Sequence, residues 1–128
     1  MDIDKMTLRV QKALSDANVI AVKYNHQQIE VIHLFAALME QEDGLIPNIF
    51  NKMGINNKEL IAKIDSKLDS MPKVLGEGAN SSGVYITRQV NEVLVKAEEI
   101  SKKFKDEFIS VEHLMLAIMD KDKNGYVG

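Results

Sequence analysis

Two of the three histidines in this chain occupy matching positions and are the first candidates for chemistry. His33 and His113 stand 80 residues apart, each two residues after a valine in an apolar segment. Imidazoles placed in this way could relay a proton or hold a metal ion between two parts of the chain. No carboxylate or second histidine lies three or four residues away in both copies, so the pattern favours histidines packed inside helices. No metal site is expected.

Other catalytic patterns are missing from the sequence. Cysteine is absent, which removes thiolate nucleophiles and thiolate metal sites and is typical of a reducing compartment. Gly76, Gly78 and Gly83 lie close together but do not form a phosphate-binding loop with a following lysine. Neither the serine-hydrolase elbow nor the two-histidine zinc motif occurs. We therefore expect no catalytic residue and no cofactor in this domain.

Three acidic residues, Asp106, Glu107 and Glu112, cluster towards the end of the chain. The positions 80 residues earlier hold a histidine, a glutamine and an isoleucine, so the similarity between the two halves breaks here. One interpretation is a solvated loop with a favourable negative charge near a helix N-terminus. The other is a recognition site that only one half of the chain needs. The residues alone leave both interpretations open.

The elements that position these residues follow from an internal repeat. When the sequence is shifted by 80 residues, 7–39 align with 87–119 without a gap, and 12 of the 33 aligned pairs are identical. Such similarity indicates a duplicated unit. The identical pairs are Thr7/Thr87, Val10/Val90, Leu14/Leu94, Ala17/Ala97, Ile20/Ile100, Lys23/Lys103, Ile29/Ile109, Val31/Val111, His33/His113, Leu34/Leu114, Ala37/Ala117 and Met39/Met119.

Apolar residues recur at steps of three and four in each unit, which is typical of amphipathic helices and predicts an all-α fold. Thr7 and Thr87 precede the first helix of each unit, so we expect both to be N-caps. Pro47 suits the first turn of a third helix, and Gly54 suits its C-terminal end. In the first unit the helices are predicted at about 7–24, 31–41, 45–53 and 57–71.

The domain organisation follows from the repeat and from a change in composition. Residues 1–72 form the first repeat, and the glycine- and serine-rich stretch 73–85 is predicted to be a connector loop. The second repeat, 86–128, is predicted to be incomplete, because the counterparts of the third and fourth helices would fall beyond Gly128. Part of its apolar face should then be uncovered.

Composition and charge exclude several classes of protein. The chain is 45% hydrophobic and 27% charged, which is typical of a folded domain rather than a disordered segment or a membrane protein. Lysine and arginine number 16 against 19 acidic residues, for a net charge of −3, so no overall field attracts nucleic acid or anionic lipid. The N-terminal residues include acids where a secretory signal has bases. We expect a cytoplasmic protein without nucleic-acid or membrane partners.

Several motifs resemble the N-terminal Clp repeat domain of the ClpB family of AAA+ disaggregases. They are the stretch 5–17, the pair I-E-V-I-H-L and I-S-V-E-H-L, G-I-N at 54–56 and V-Y-I-T at 84–87. The resemblance covers essentially all 128 residues. It implies two pseudo-repeats of a four-helix Clp N unit, with the second repeat truncated in this chain.

The resemblance also implies a function in binding rather than catalysis. In the family this domain binds unfolded or aggregated polypeptides and passes them to an ATPase ring. The full-length protein would be a homohexameric ATPase that uses ATP and magnesium, carries a coiled-coil domain and works with the DnaK chaperone system in protein refolding and the response to heat. This fragment would not itself be an enzyme.

The family's functional positions can be carried over to this sequence. They include the threonine at the start of the first helix, an acid before the sixth helix and the glutamate of V-E-H-L, which we expect near one surface. They also include three groove positions on the fifth and sixth helices, of which only Ile100 is plainly apolar. The implied substrate-binding residues are Thr7, Lys96, Ile100, Asp106, Glu112 and His113.

Two alternative functions remain open. The related ClpC and ClpA group uses this domain to dock adaptor proteins or, in ClpC, phosphoarginine, with a threonine and a glutamate in each repeat. Here Thr87 and Glu112 are present in the second repeat, but Ile32 replaces the glutamate of the first. The second alternative is a structural module that packs on its own ATPase ring and regulates it.

Overall fold

The computed structural model describes residues 3–74 and 84–122, and the predicted all-α fold is confirmed over this part of the chain. A 3₁₀ turn at Ile3–Lys5 comes first. Six α-helices and two strands of two residues each follow in these ranges. They are α1 Leu8–Lys23, β1 Gln28–Ile29, α2 Val31–Glu40, α3 Leu45–Lys52, α4 Asn57–Ser70, β2 Tyr85–Ile86, α5 Arg88–Lys103 and α6 Val111–Asp122.

The start of the first helix in each repeat is fixed by a threonine, as predicted. The Thr7 hydroxyl accepts the Val10 N–H, and the Thr87 hydroxyl accepts the Val90 N–H, both at 3.3 Å. Each contact satisfies an amide that the helix leaves without a partner and contributes about 1 kcal/mol.

The same two helices also end alike. Asn25 and Lys105 follow α1 and α5 with φ of 59° and 60°. The next residues, His26 and Asp106, each donate a backbone N–H to the carbonyl five residues earlier, at 2.8 Å. This is the Schellman ending of a helix. It places His26 and Asp106 at equivalent points of the two repeats.

The residues predicted at the start and the end of α3 are confirmed. Pro47 lies in the first turn, where a missing N–H costs little. Gly54 follows the helix with φ of +83°, a conformation that residues with a Cβ rarely adopt. The amides of Gly54 and Ile55 donate to the Asn51 and Phe50 carbonyls, so α3 has the same Schellman ending as α1 and α5.

The structure differs from the sequence-based boundaries at the connector. Tyr85, predicted as its last residue, begins β2, which pairs in parallel with β1 through Gln28↔Tyr85 and Ile29↔Ile86. Strands of two residues show no periodicity, so hydropathy patterns do not reveal them. Most of the predicted connector, 75–83, and the end of the second repeat, 123–128, lie outside the described residues.

The two repeats are interlocked by backbone pairing. The segment before α1 pairs with the turn before α6, because Ile109 donates to the Lys5 carbonyl at 2.7 Å and Thr7 donates to the Ile109 carbonyl at 3.0 Å. The segment before α5 pairs with the turn before α2, where Thr87 donates to the Ile29 carbonyl at 3.1 Å. Each threonine cap therefore adjoins the other repeat. Thr87 adjoins the turn before α2 and not the turn that leads to Glu112, although both residues belong to the second repeat.

The core is built around α2 and α6, the helices predicted to be buried. Helix α2 contacts every other helix described above, and α6 packs on α1, α2, α3 and α5. Helices α3 and α4 cover α2, so Met39 is 3% exposed, whereas its counterpart Met119 on α6 is 50% exposed. Leu116 is also uncovered. This asymmetry is what an incomplete second repeat predicts.

Candidate functional site

The turn between α5 and α6 presents a half-exposed carboxylate on a buried histidine. The Nδ1 of His113 accepts the Ser110 N–H at 2.9 Å, so the ring proton must lie on Nε2. Nε2 is 2.8 Å from Asp106 Oδ2 and donates to it. His113 is 1% exposed, whereas the Asp106 side chain is 47% exposed. The imidazole thus fixes the carboxylate at the surface and satisfies its own buried nitrogens.

Thr7 and Glu112 belong to the same region. Ile109, which accepts the Thr7 amide, lies three residues from both Asp106 and Glu112. Glu112 is exposed, and one of its oxygens accepts the Ser110 hydroxyl at 3.2 Å. The structure therefore brings three of the six expected binding residues to one junction between the repeats.

The other three expected residues are placed differently. Ile100 is half-buried on α5 and packs on the core. Lys96, one turn earlier, lies 4.0 Å from Glu99 and lines a separate cleft of about 310 Å³ between α5 and α6. His113 lies behind the site rather than on its surface. Its Nε2–H donates to Asp106, whose side chain is half-exposed.

Two exposed aromatic residues adjoin the carboxylate and were missed by sequence reasoning. Phe104 caps the end of α5, and Phe108 lies two residues after Asp106. The Phe104 ring lies 6.2 Å from the His113 ring. Both phenylalanines fall in a run of charged residues without helical periodicity. Large apolar residues in a short turn have no helix face on which to be buried, and this could have indicated from the sequence that both are exposed.

The equivalent turn of the first repeat keeps the scaffold but loses the charge. His33 Nδ1 accepts the Glu30 N–H at 2.8 Å, and His33 Nε2 donates to His26 Nδ1 at 2.8 Å. Burial, and then the neighbouring His26, lower the pKa of His33 to about 4. Burial also lowers the pKa of His26, against an opposing effect of the Leu68 carbonyl. His33 packs inside like His113, as the sequence pattern favoured, and both His33 and His26 are neutral at neutral pH.

A second cleft of about 310 Å³ lies between this turn, the end of α4 and β2. Its polar lining residues are His26, Gln27, Gln28 and Glu30, and its apolar lining residues include Met71 and Val74. Tyr85 of β2 closes one side.

Two further properties concern the described ranges as a whole. Within residues 3–74 and 84–122, no group of three or more histidine, cysteine or acidic side chains is arranged to hold a metal ion. Within the same ranges, no helix combines the length and apolarity that crossing a bilayer requires.

Residues 5–127 match the family model of the Clp repeat (R) N-terminal domain, and the chain belongs to this family. Within it, the chain is 66% identical over all 128 residues to the chaperone protein ClpB of Clostridium perfringens. It spans 15% of the length of that relative. The similarity therefore concerns the N-terminal region of ClpB-type chaperones.

Solved structures agree on the fold. The Hsp104 N-terminal domain from Candida albicans is 18% identical, with 93% of this chain and 76% of that chain aligned at a TM-score of 0.81. A complex of the ClpV N-domain with a VipB peptide is 16% identical, with 98% of this chain and 74% of that chain aligned at a TM-score of 0.81. At these identities the similarity shows the fold alone.

Proposed function

We propose that this chain is the substrate-recognition domain of a ClpB-type ATP-dependent chaperone. It binds unfolded or aggregated polypeptides and passes them to an ATPase ring formed elsewhere in a full-length cytoplasmic protein. That ring would be a homohexamer that uses ATP and magnesium and works with the DnaK system. The observation that carries the proposal is the surface formed by Phe104, Asp106 and Phe108 between the repeats, which we call the acid–aromatic surface.

The chemistry of this surface suits unfolded polypeptide. Exposed phenylalanine rings attract apolar side chains that a folded protein would bury. The carboxylate of Asp106, fixed by His113, adds a hydrogen-bond acceptor for backbone or side-chain N–H groups. The surface is small, so the affinity of one copy should be weak. Six copies in a ring raise the overall binding strength while each contact still releases easily.

Titration of the 128-residue chain with casein, followed by amide NMR, tests the proposal. We expect shifts at residues 104–112 that persist at about 0.5 M salt, because apolar contacts are not screened. Replacing Phe104 and Phe108 together with alanine should weaken binding at least fivefold. Val19→Ala is the matched control, since Val19 is an equally exposed apolar residue on α1. Shifts confined to other surfaces, or none, would contradict the proposal.

A second candidate function is the docking of an adaptor protein or of phosphoarginine. The backbone pairing between the repeats supports this candidate at one of the two turns only. Thr7 adjoins the turn that leads to Glu112, whereas Thr87 adjoins the turn that leads to Ile32, where the glutamate is missing. A related N-domain has been solved in complex with a peptide, which supports protein docking as a use of this fold. Titration with free phosphoarginine distinguishes this candidate, since it predicts shifts at Thr7 and Glu112 that Glu112→Gln abolishes.

A further inference from the structure

Among the described residues, none pairs with the backbone groups on the outer edge of β2. Tyr85 and Thr87 donate their amides to β1, so the N–H and C=O of the intervening Ile86 point away from it. Within 3–74 and 84–122, no residue forms a hydrogen bond with either group of Ile86. The side chains of Tyr85 and Ile86 are 68% and 51% exposed. Such an edge can pair with another extended chain.

The equivalent edge in the first repeat is closed. Met6, 80 residues before Ile86, donates its N–H to the Ile3 carbonyl at 3.0 Å. Its C=O accepts the side-chain amide of Gln11 at 3.0 Å, and its side chain is 6% exposed. The counterpart of Gln11 is Asn91, whose side chain is one methylene shorter. The open edge is therefore specific to β2 and not a general property of the repeat.

The cleft beside the α1–α2 turn adjoins β2, because Tyr85 is one of its lining residues. Of its eight lining residues, Glu30 alone carries a charge at neutral pH. His26 lines the cleft with its proton on Nε2, because its Nδ1 accepts from the neighbouring imidazole. The Leu68 carbonyl lies near enough to raise the pKa of His26, but Nε2 has no partner in hydrogen-bond geometry.

We propose that β2 and this cleft bind an extended, apolar polypeptide segment by strand addition. The segment's backbone pairs with the N–H and C=O of Ile86, and one of its side chains enters the cleft against Met71 and Val74. The occupant is an extended chain because only such a chain presents both backbone groups at this spacing. It is apolar because the cleft offers mostly uncharged contacts. The inference rests on the proposed function and adds a second binding surface to it.

A peptide of six alternating valines and threonines, acetylated and amidated at its ends, provides the test. Titrated into the 128-residue chain, it should shift the Ile86 amide and slow its hydrogen exchange. The same peptide with two adjacent central amides N-methylated cannot pair through either edge and should bind at least tenfold more weakly. Equal affinity of the two peptides, or binding that leaves the Ile86 amide unchanged, overturns the inference.

A pair of variants tests the same contact from the protein side. Ile86→Pro removes the outward N–H and keeps the Tyr85 and Thr87 amides that pair with β1, so binding should weaken at least tenfold. Ile86→Ala keeps the N–H and should weaken binding less than threefold. Wild-type affinity in Ile86→Pro contradicts strand addition. If this variant does not fold, the comparison of the two peptides on the unchanged chain decides.

A parallel titration with casein separates this inference from the proposed function. Casein binding at residues 104–112 without a response at Ile86 overturns strand addition and leaves the proposed function standing. Peptide binding at Ile86 without any binding of casein overturns the proposed function and keeps the strand-binding edge.

Discussion

Replacing His26 with aspartate should convert the imidazole pair of the first repeat into the imidazole–carboxylate pair of the second. His33 titrates at about pH 4 in the folded chain, whereas a histidine in an unfolded chain titrates near about 6.5. Between these values the unfolded chain binds a proton that the folded chain does not. Stability present above about pH 6.5 is therefore lost as the pH falls towards 4. The full loss is about 3 kcal/mol, at about 1.4 kcal/mol per pKa unit.

In His26→Asp, a carboxylate faces His33 Nε2 and favours the charged imidazole, so the pKa of His33 should rise. The variant should be less stable than the wild type at pH 7 by roughly 1–3 kcal/mol, because the new carboxylate is partly desolvated. On acidification this deficit should shrink by about 2 kcal/mol by pH 4.5, since the variant no longer carries the cost of protonating a buried His33 that has no carboxylate partner.

Urea denaturation of both proteins from pH 7 to 4.5 measures the difference, and NMR titration of the His33 ring measures its pKa directly. Taking variant minus wild type cancels the carboxylates that both share. Asp106→His is the reciprocal variant and should introduce a smaller acid sensitivity, because position 106 is half-exposed. A stability difference that stays constant with pH would refute the argument that the buried imidazole of His33 makes the fold sensitive to acid.

Five further substitutions have expected outcomes in urea denaturation at neutral pH. Thr7→Ala should cost about 1 kcal/mol for the lost cap, and Thr87→Ala more, because its hydroxyl also donates to a carbonyl of the other repeat at 3.0 Å. Equal costs would show that this second bond contributes nothing. Gly54→Ala should cost about 1 kcal/mol from the positive φ alone, since the added Cβ meets no atom within 4 Å. Met119→Lys should change stability by less than about 0.5 kcal/mol, whereas Met39→Lys should cost more than about 3 kcal/mol. Similar values for the two methionines would contradict the uneven cover of α2 and α6.

Sequence patterns predicted what depends on neighbours along the chain. The threonine caps, Pro47, Gly54 and the buried second helix of each repeat are local signals with a local physical cause. The pairing of Thr7 with the Ile109 turn could not be predicted, because helical periodicity carries no information about which repeat a cap adjoins. That pairing also decides which residues share a surface. The family resemblance, and not the repeat, led us to expect Thr7 near Asp106 and Glu112.

The histidine contacts show the same limit at shorter range. His26 and His33 are seven residues apart, as are Asp106 and His113, and a search at helical spacings of three or four does not find them. They meet because a Schellman turn reverses the chain between them. The turn was not predicted from the sequence, because its residues with positive φ are Asn and Lys. These residue types indicate such a turn less clearly than glycine does.

Duplication has left this chain with two versions of one scaffold that differ in chemistry. In each, a buried histidine holds the side chain after the left-handed residue, but Asp106 is half-exposed and charged whereas His26 is buried and neutral. The edge at Met6 is closed, whereas the edge at Ile86 is open. If both proposed surfaces bind, one unfolded chain can occupy the acid–aromatic surface and the β2 edge together. The second contact is then intramolecular, at an effective concentration on the order of millimolar for a short linker. Removing the acid–aromatic surface should therefore weaken binding of casein, whereas the hexapeptide, which occupies the β2 edge alone, should bind as before.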